Sequence, residues 1–453
     1  MLSTQTKSAV FLLFLDSLSI LVVFGLGGYL RGIDIHEFPL EVMLIPVGLV
    51  VAALYLIDGY KPRTDMMSLD YTSQHAIALL SAMICLLLLS FVVISDNFAF
   101  KSSRGVILVC FVALIPITLS YRRILYRVFL HRHGNQSLIF LGDLTSCEMF
   151  LQECARNKLS QPVILASMQP VLTHPKLQIR FLPDVLSSIE RGDLNAEAVV
   201  IRETNQELTS DISQRLVALH FKGTSTYTLE LFHQIFWRKI PLYRINPTWL
   251  FQEGFEITRE PVFERVKRLM DLFLALVALV IFTPLLALCG LAIWLEDRGP
   301  IFFRQTRIGK SRVPFCLFKL RTMKNGSDSG DPYTRCQDKR ITKVGRLLRA
   351  TRIDELPQIW NVLKGDMSFI GPRAEWDRLV AEYEKQIPCY HFRHFVKPGI
   401  TGWAQVNYPY GANLDDTLRK LEYDLYYIRH FSFVMDASII LKTIHIMFFG
   451  KGQ

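Results

Sequence analysis

Asp354 and Glu355 stand side by side in the stretch Thr351-Arg352-Ile353-Asp354-Glu355-Leu356-Pro357-Gln358-Ile359-Trp360-Asn361. Pro357 suits a first helical turn, which places both acids at a helix N-terminus, where unpaired N–H groups and the macrodipole favour negative charge. A carboxylate so placed is expected to stay ionised near neutral pH. Adjacent acids also serve as plain helix caps, but here the surroundings argue for chemistry. Between Arg304 and Arg373 stand Arg307, Lys310, Lys319, Arg321, Lys343, Arg346, Arg349 and Arg352, a cationic field suited to a polyanionic substrate.

That field is local. From Ile301 onward the chain carries 25 Lys/Arg against 15 Asp/Glu, and the preceding residues hold 26 of each, so the whole formal charge of +10 belongs to the C-terminal third. Anionic lipid headgroups or phosphate-bearing ligands suit such a surface. Without interleaved aromatics or a reader motif, nucleic acid is not an expected partner. Half of the 453 residues are hydrophobic, which implies a membrane-embedded part. The 8 cysteines show no metal-type or redox Cys-x-x-Cys spacing, and Cys85, Cys110 and Cys289 fall in apolar runs, where buried thiols are expected. His391 and His394 have His-x-x-His spacing without further ligands nearby, which favours surface or phosphate contact over zinc.

Four apolar segments open the chain, about Ala9 to Leu30, Leu40 to Ile57, Ala76 to Ile94 and Val106 to Tyr121, each near the length of a transmembrane helix. The opening run is too long for a cleavable signal and lacks a small-residue cleavage site. Lys7, Lys61, Arg63, Arg122, Arg123, Arg127 and Arg132 flank one side of this region (residues 1–133), and Arg31, Lys101 and Arg104 the other. The positive-inside rule then puts both ends in the cytoplasm. Residues 134–246 alternate short apolar runs with helical patterns and read as a Rossmann-like α/β module. Its first strand ends Gly142-Asp143-Leu144-Thr145-Ser146-Cys147, without the later glycines of a dinucleotide site, so a structural or regulatory role is expected. Residues 247–262, with Pro247 and Gly254, read as a linker.

Residues 263–298 contain an apolar run, Leu272 to Leu295, interrupted at Thr283-Pro284. Proline removes a donor and clashes with the preceding turn. Basic residues flank both ends, Arg265, Lys267 and Arg268 before and Arg298, Arg304 and Arg307 after, so a helix that enters, breaks and returns to the cytoplasmic face is expected in place of a crossing. The Thr283 hydroxyl is expected on a carbonyl freed by the break. Residues 299–453 form a basic, mainly helical domain. The fold class is membrane α plus α/β: four transmembrane helices, a Rossmann-like module, then a re-entrant helix with a mainly helical C-terminal domain.

From about Pro261 to the C-terminus, six motifs in order resemble the monotopic phosphoglycosyl transferases, or bacterial sugar transferases. They are the Thr283-Pro284 break, Gly299-Pro300-Ile301-Phe302-Phe303-Arg304-Gln305, Phe318-Lys319-Leu320-Arg321-Thr322-Met323, the Asp354-Glu355 stretch, Gly365-Asp366-Met367-Ser368-Phe369-Ile370-Gly371-Pro372-Arg373, and Lys397-Pro398-Gly399-Ile400-Thr401-Gly402-Trp403-Ala404-Gln405-Val406-Asn407. The preceding helices and module resemble the large subgroup, similar to undecaprenyl-phosphate glucose or galactose phosphotransferases. Thr283 stands where that family commonly has Ser, and Ala374 where Pro is frequent.

The resemblance implies transfer of a hexose 1-phosphate from a UDP-sugar to polyprenyl phosphate, releasing UMP, as the first membrane step of exopolysaccharide, capsule or O-antigen synthesis. By carry-over Asp354 is the nucleophile, and Asp354 and Glu355 hold Mg²⁺. Arg349 and Arg373 offset phosphoryl charge. Lys319 and Arg321 match motif positions in the same phosphate-binding group and Asp424 another motif position, with surface charge or a structural ion pair as the other reading for these three. The resemblance also implies membrane lipid as surroundings, a homodimer, and a bacterial inner membrane with the catalytic domain on its cytoplasmic face. Two other classes stay open at this point: a non-catalytic membrane scaffold or nucleotide sensor, and a glycosyltransferase without a covalent intermediate.

Overall fold

A computed structural model describes residues 4–30, 40–60, 66–92, 104–127, 136–157, 159, 161–168, 175, 177–202, 209–242, 261–324, 340–408 and 413–449. The chain forms two compact units, Met1–Thr226 and Tyr227–Gln453. Of the residues weighed above, Arg31, Lys61, Arg63, Lys101, Arg132 and most of the linker lie outside the described residues.

The first unit opens with α1 (Thr4–Tyr29), α2 (Leu40–Leu56), α3 (Leu69–Val92) and α4 (Arg104–Leu125). Their shared core draws on all four: Ile20 and Phe24, Val50 and Leu54, Leu79 and Leu86, Phe111 and Leu114. Ala9–Tyr29, Tyr71–Leu89 and Arg104–Leu125 are long and apolar enough to cross a membrane, whereas α2 supplies a shorter run, Leu44–Leu56. Arg122 does not act as a flanking cation. It is fully buried and paired with Asp16, and its Nη1 donates to the Gly59 carbonyl (2.6 Å) and the Tyr71 hydroxyl (2.9 Å). Tyr60 donates to Asp16 at 2.7 Å, and Tyr121 donates to it as well. An ion pair among apolar helices persists only when its members are bonded this fully. Cys110 is buried as expected, but Cys289 is only half-buried and Cys85 is exposed on the apolar outer side of α3.

The rest of this unit holds β1 (Ser137–Leu141), α5 (Leu144–Arg156), β2 (Val163–Ser167), β3 (Gln178–Phe181), α6 (Leu182–Arg191), β4 (Ala196–Ile201), α7 (Ser210–Phe221) and β5 (Ser225–Thr228). The sheet order is β3-β2-β1-β4-β5, with β1 parallel to β2 and β4, and β2 parallel to β3. Strands covered on both faces read as continuous apolar runs, as the fully buried β1 does. The sheet order reverses between β1 and β4, the place where doubly wound folds bind nucleotides. There Asp143 caps α5 through the Ser146 N–H (3.2 Å) and pairs with Arg202. An internal carboxylate thus occupies the helix end where a pyrophosphate would sit.

The second unit begins with α8 (Leu229–Phe232) and a π-turn, His233–Trp237. It continues through α9 (Pro261–Asp297), the antiparallel hairpin β6 (Phe302–Ile308) and β7 (Pro314–Leu320), α10 (Lys343–Thr351), α11 (Gln358–Lys364) and β8 (Ser368–Ile370). α12 (Asp377–Gln386), β9 (Gly399–Thr401), α13 (Trp403–Asn407), α14 (Leu414–Arg429) and α15 (Phe433–Phe449) complete it. β8 and β9 pair in parallel. The expected break in α9 is absent: the helix runs unbroken through Pro284. Proline deletes a single donor, and hydrogen bonds on either side can carry a kinked helix past it. Thr283 Oγ1 donates to the Leu279 carbonyl (2.5 Å), one residue short of the Val280 carbonyl that Pro284 leaves without its donor.

One side of α9 is packed over its whole length. Phe263 stacks on Phe433, Lys267 pairs with Asp436, and Asp271 accepts from the Ser368 hydroxyl and the Phe369 N–H. Ala275 and Phe282 meet Leu317, Ile359 and Val362, and farther along Cys289 and Ile293 meet Leu320 and Leu348. The other side leaves Leu269, Phe273, Val280, Ile281, Leu288 and Leu295 exposed.

Candidate active site

The acid pair hangs between α10 and α11. α10 starts firmly: Thr342 Oγ1 accepts from the Gly345 N–H (2.9 Å), and Glu296, near the end of α9, accepts from the N–H groups of Lys343 (2.8 Å) and Val344 (3.2 Å). These bonds satisfy donors a helix start otherwise leaves open. Gly345 lies against Thr322 so closely that a Cβ would strike its backbone, and Arg349 Nε donates to Thr322 Oγ1 (2.8 Å). The helix ends at Arg352, a non-glycine residue at φ 57°, a strained conformation that recurs at functional sites. Ile353–Glu355 then form a single 3₁₀ turn. Pro357 is the residue before α11, so the acids stand in the turn ahead of that helix and do not cap it.

The two carboxylates differ sharply. Glu355 Oε1 accepts from Lys319 Nζ (2.8 Å) and Arg373 Nη2 (3.1 Å). Burial works to raise Glu355, but Lys319 and Arg373 outweigh it and hold the carboxyl well below the usual range. Asp354 is 9% exposed, and among the described residues its carboxylate has no hydrogen-bond or ion-pair partner. Burial pushes it up, Lys319 opposes and Glu355 reinforces the shift. This is the reverse of what a helix N-terminus alone would do. Arg349, half-buried, has no bond among the described residues besides that to Thr322, so its terminal nitrogens are available.

Lys319 comes from β7, opposite Phe303 of β6. Asn361 fixes that strand to α11, with Nδ2 donating to the Cys316 carbonyl (2.7 Å) and Oδ1 accepting from the Phe318 N–H (3.1 Å). Arg373 follows β8, and its backbone bridges to Gly399. Its carbonyl accepts from Arg393 Nη2 (2.9 Å), and Arg393 pairs with Asp424 at 2.9 Å and donates to the Tyr390 hydroxyl. Burial raises Asp424 to about 6 against the pull of Arg393. Asp424 thus touches the site only through Arg393 and the backbone of Arg373.

Arg321 stands apart from the acids. It pairs with Asp297 at the end of α9, and its buried Nε and Nη1 have no hydrogen-bond partners among the described residues. The structure brings together Asp354, Glu355, Lys319, Arg349 and Arg373, and it sets Arg321, Asp424, Thr283 and Pro284 elsewhere. Glu296, Asn361 and Arg393 escaped the sequence reading. The one available signal was Arg393, a charge inside the aromatic run Tyr390–Phe395. His394 is buried and its pKa is pushed down to about 3 by burial and by Arg393, whereas His391 is exposed.

Among the described residues no group of three or more His, Cys, Asp and Glu side chains could hold a metal ion. Two neighbouring hard-oxygen groups, one unbonded, nevertheless fit Mg²⁺, which often takes one or two carboxylates and fills the rest with substrate phosphate and water. Two acids facing three cations leave a net positive site that suits a phosphate ester.

Residues 262–450 match the family described as bacterial sugar transferase. The chain is 36% identical over 287 residues, 63% of this chain and 66% of the relative, to UDP-N-acetylgalactosamine-undecaprenyl-phosphate N-acetylgalactosaminephosphotransferase of Aeromonas hydrophila. It is 42% identical over 191 residues, 41% of this chain and 40% of the relative, to UDP-glucose:undecaprenyl-phosphate glucose-1-phosphate transferase of Xanthomonas campestris pv. campestris. Over 187 residues, 40% of this chain and 93% of the relative, it is 41% identical to exopolysaccharide production protein PSS of Rhizobium leguminosarum bv. phaseoli. The chain therefore spans 66% and 40% of the first two relatives' own lengths and nearly all of the third.

Proposed function

This chain belongs to the bacterial sugar transferase family, and from that premise we propose that its second unit transfers a hexose 1-phosphate from a UDP-sugar to polyprenyl phosphate. The observation that carries this reading is Asp354, a buried carboxylate with no bonded partner among the described residues, beside a Glu355 already gripped by two cations. A free, desolvated carboxylate is a competent nucleophile without a helper base. An Asp354 oxygen attacks the β-phosphorus of the UDP-sugar. The bond from that phosphorus to the bridging oxygen breaks, and UMP leaves with the electron pair. An oxygen of the lipid phosphate then attacks the same phosphorus, the aspartyl bond breaks, and the Asp354 carboxylate is restored.

Arg349, Lys319 and Arg373 stabilise charge on the phosphoryl oxygens and the leaving phosphate, the kind of contribution that dominates phosphoryl transfer. Mg²⁺ held by Asp354 and Glu355 would add further charge neutralisation. The one-sided packing of α9 supports an anchor in one leaflet. At about 1.5 Å per residue the helix is long and apolar enough to cross a hydrocarbon core of about 30 Å, but the charged and polar groups that its packed side engages, from Lys267 with Asp436 and Asp271 with Ser368 to Asp297 with Arg321, do not suit passage through lipid. Both ends of α9 then lie on the cytoplasmic face of the inner membrane, where a lipid phosphate and a soluble nucleotide sugar can meet.

The test is UMP release by the detergent-purified full chain from UDP-glucose and UDP-N-acetylgalactosamine, with Mg²⁺ and polyprenyl phosphate, alongside mass spectrometry of the peptide bearing Asp354. A sugar-phosphate adduct on that peptide, lost in Asp354→Asn together with UMP release, is the expected result. Release that persists in Asp354→Asn, or turnover with no adduct on the peptide, would overturn the covalent route.

A further inference from the structure

We infer that Trp403 is a positioning residue for Arg373, held by the segment that follows β5; the inference rests on the transferase reading above. Trp403 is 2% exposed, and its indole Nε1–H donates to the carbonyl of Arg238 (2.9 Å), far away in sequence. Arg238 closes the π-turn at φ 49°, a costly conformation for a non-glycine residue. The next residues fasten it. Lys239 Nζ pairs with Glu422 Oε2 (3.0 Å), both almost wholly buried. The Ile240 N–H donates to the Glu422 carbonyl (3.0 Å) and the Leu242 N–H to Glu422 Oε1 (3.4 Å). On the ring itself, Lys442 Nζ stands 4.3 Å from the centroid and donates to Asn407 Oδ1 (2.8 Å).

Immediately before Trp403 lies β9, which supports the backbone of Arg373. Ser368 and Ile370 of β8 face Gly399 and Thr401 of β9. The Gly371 N–H donates to the Thr401 carbonyl (2.9 Å), and the Gly399 N–H donates to the Pro372 carbonyl (2.9 Å). A Cβ on Gly371, Gly399 or Gly402 would collide with the facing backbone, so the two segments meet without slack. The line of contact therefore runs from Arg238 through Trp403 and β9 to the Gly371–Arg373 backbone, and from the Arg373 guanidinium to Glu355. A tryptophan that merely filled space would not need its one donor tied to a strained carbonyl fastened by a buried ion pair.

Trp403→Phe keeps an aromatic ring and deletes the donor. Hydrogen exchange in the full-length protein is expected to accelerate in peptides covering 368–374 and 397–403 and to stay unchanged in α14. UMP release is expected to lose about five-fold in kcat, the equivalent of one ordinary hydrogen bond. If Trp403 acts through Arg373, the substitution lowers kcat in the wild type and has no further effect in Arg373→Lys. Unchanged exchange in both peptides, or losses that multiply in the double variant, would overturn the inference. Should Trp403→Phe not fold, Lys239→Arg keeps the buried charges while shifting the Arg238 carbonyl, and the same readouts decide. The exchange arm stands even if UMP release does not depend on Asp354, so a failure of the transferase reading is told apart from a failure of this one.

Discussion

Glu355→Gln removes one negative charge and leaves the side chain's shape. In the native protein Glu355 Oε1 accepts hydrogen bonds from Lys319 Nζ at 2.8 Å and Arg373 Nη2 at 3.1 Å. Hydrogen bonds to charged groups contribute about 1.5–3 kcal/mol each, and a neutral acceptor keeps roughly half of that. The substitution should therefore cost about 1.5–3 kcal/mol, which for a unit of this size lowers Tm by roughly 5–10 °C. The pH dependence has a definite sign. Because the folded-state pKa of Glu355 lies below its ordinary 4.5, its stabilisation is fully present above about pH 4.5 and is lost as pH falls through the folded value. Thermal unfolding of wild type and variant in detergent should show a constant gap from about pH 7.5 to 5.5 that begins to close only below about pH 4.5. A gap already closing between neutrality and about pH 5.5 would refute the reasoning, since Glu355 would then be the acid with the raised pKa.

Asp354→Asn should abolish UMP release while leaving Tm unchanged or slightly raised, because the native carboxylate is buried and has no bonded partner among the described residues; a fall of several degrees would show that the carboxylate holds the fold. Lys319→Met removes the leading charge that holds Asp354 down, so the acid limb of kcat/KM for UMP release should move to higher pH, and a shift to lower pH would reverse the assignment. In the helical bundle, Arg122→Met alone leaves Asp16 buried without its partner and should cost about 3–5 kcal/mol. Adding Asp16→Leu should recover much of that loss in thermal unfolding, and a double variant as unstable as the single one would show that the remaining bonds matter more than the charge.

The apolar runs announced α1 to α4, and apolar β1, β2 and β4 announced a parallel sheet, because burial on one stripe or on both faces writes itself into local pattern. The acid pair was legible for a similar reason, as two carboxylates out of place in a basic field. What stayed hidden depends on partners far along the chain. Nothing local shows that Arg122 answers Asp16, that Arg321 answers Asp297, or that Asp424 answers Arg393. The tether at Lys239 and Glu422 was equally invisible, since one member follows the sheet and the other lies in α14. Proline at 284 signalled a break, but a helix packed along one whole side keeps its hydrogen bonds past a single missing donor.

The site has two supports, and Glu355 joins them. One runs from the end of α9: Glu296 fixes the start of α10 and Asp297 holds Arg321 just beyond β7, so α9, β7 and α10 together set Lys319, Arg349 and the turn that carries the acids. The other runs through β8 and β9, with Arg393 on the Arg373 carbonyl, and sets Arg373. Glu355 accepts from Lys319 of the first and Arg373 of the second, which spends its charge on holding the two supports together. Asp354, one residue earlier, takes part in neither and keeps its carboxylate unbonded in a desolvated, cation-rich place. Burying an unbonded acid costs stability, and such costs concentrate where a ligand later supplies the missing interaction. The adjacent acids therefore divide the work by partner and not by position. Exchanging them, with Asp354→Glu and Glu355→Asp together, should abolish UMP release although composition and charge are unchanged, because an Asp at 355 is one methylene shorter than the Glu whose Oε1 spans Lys319 and Arg373. Retained release in that double variant would show that the two carboxylates are interchangeable and that the division of roles is wrong.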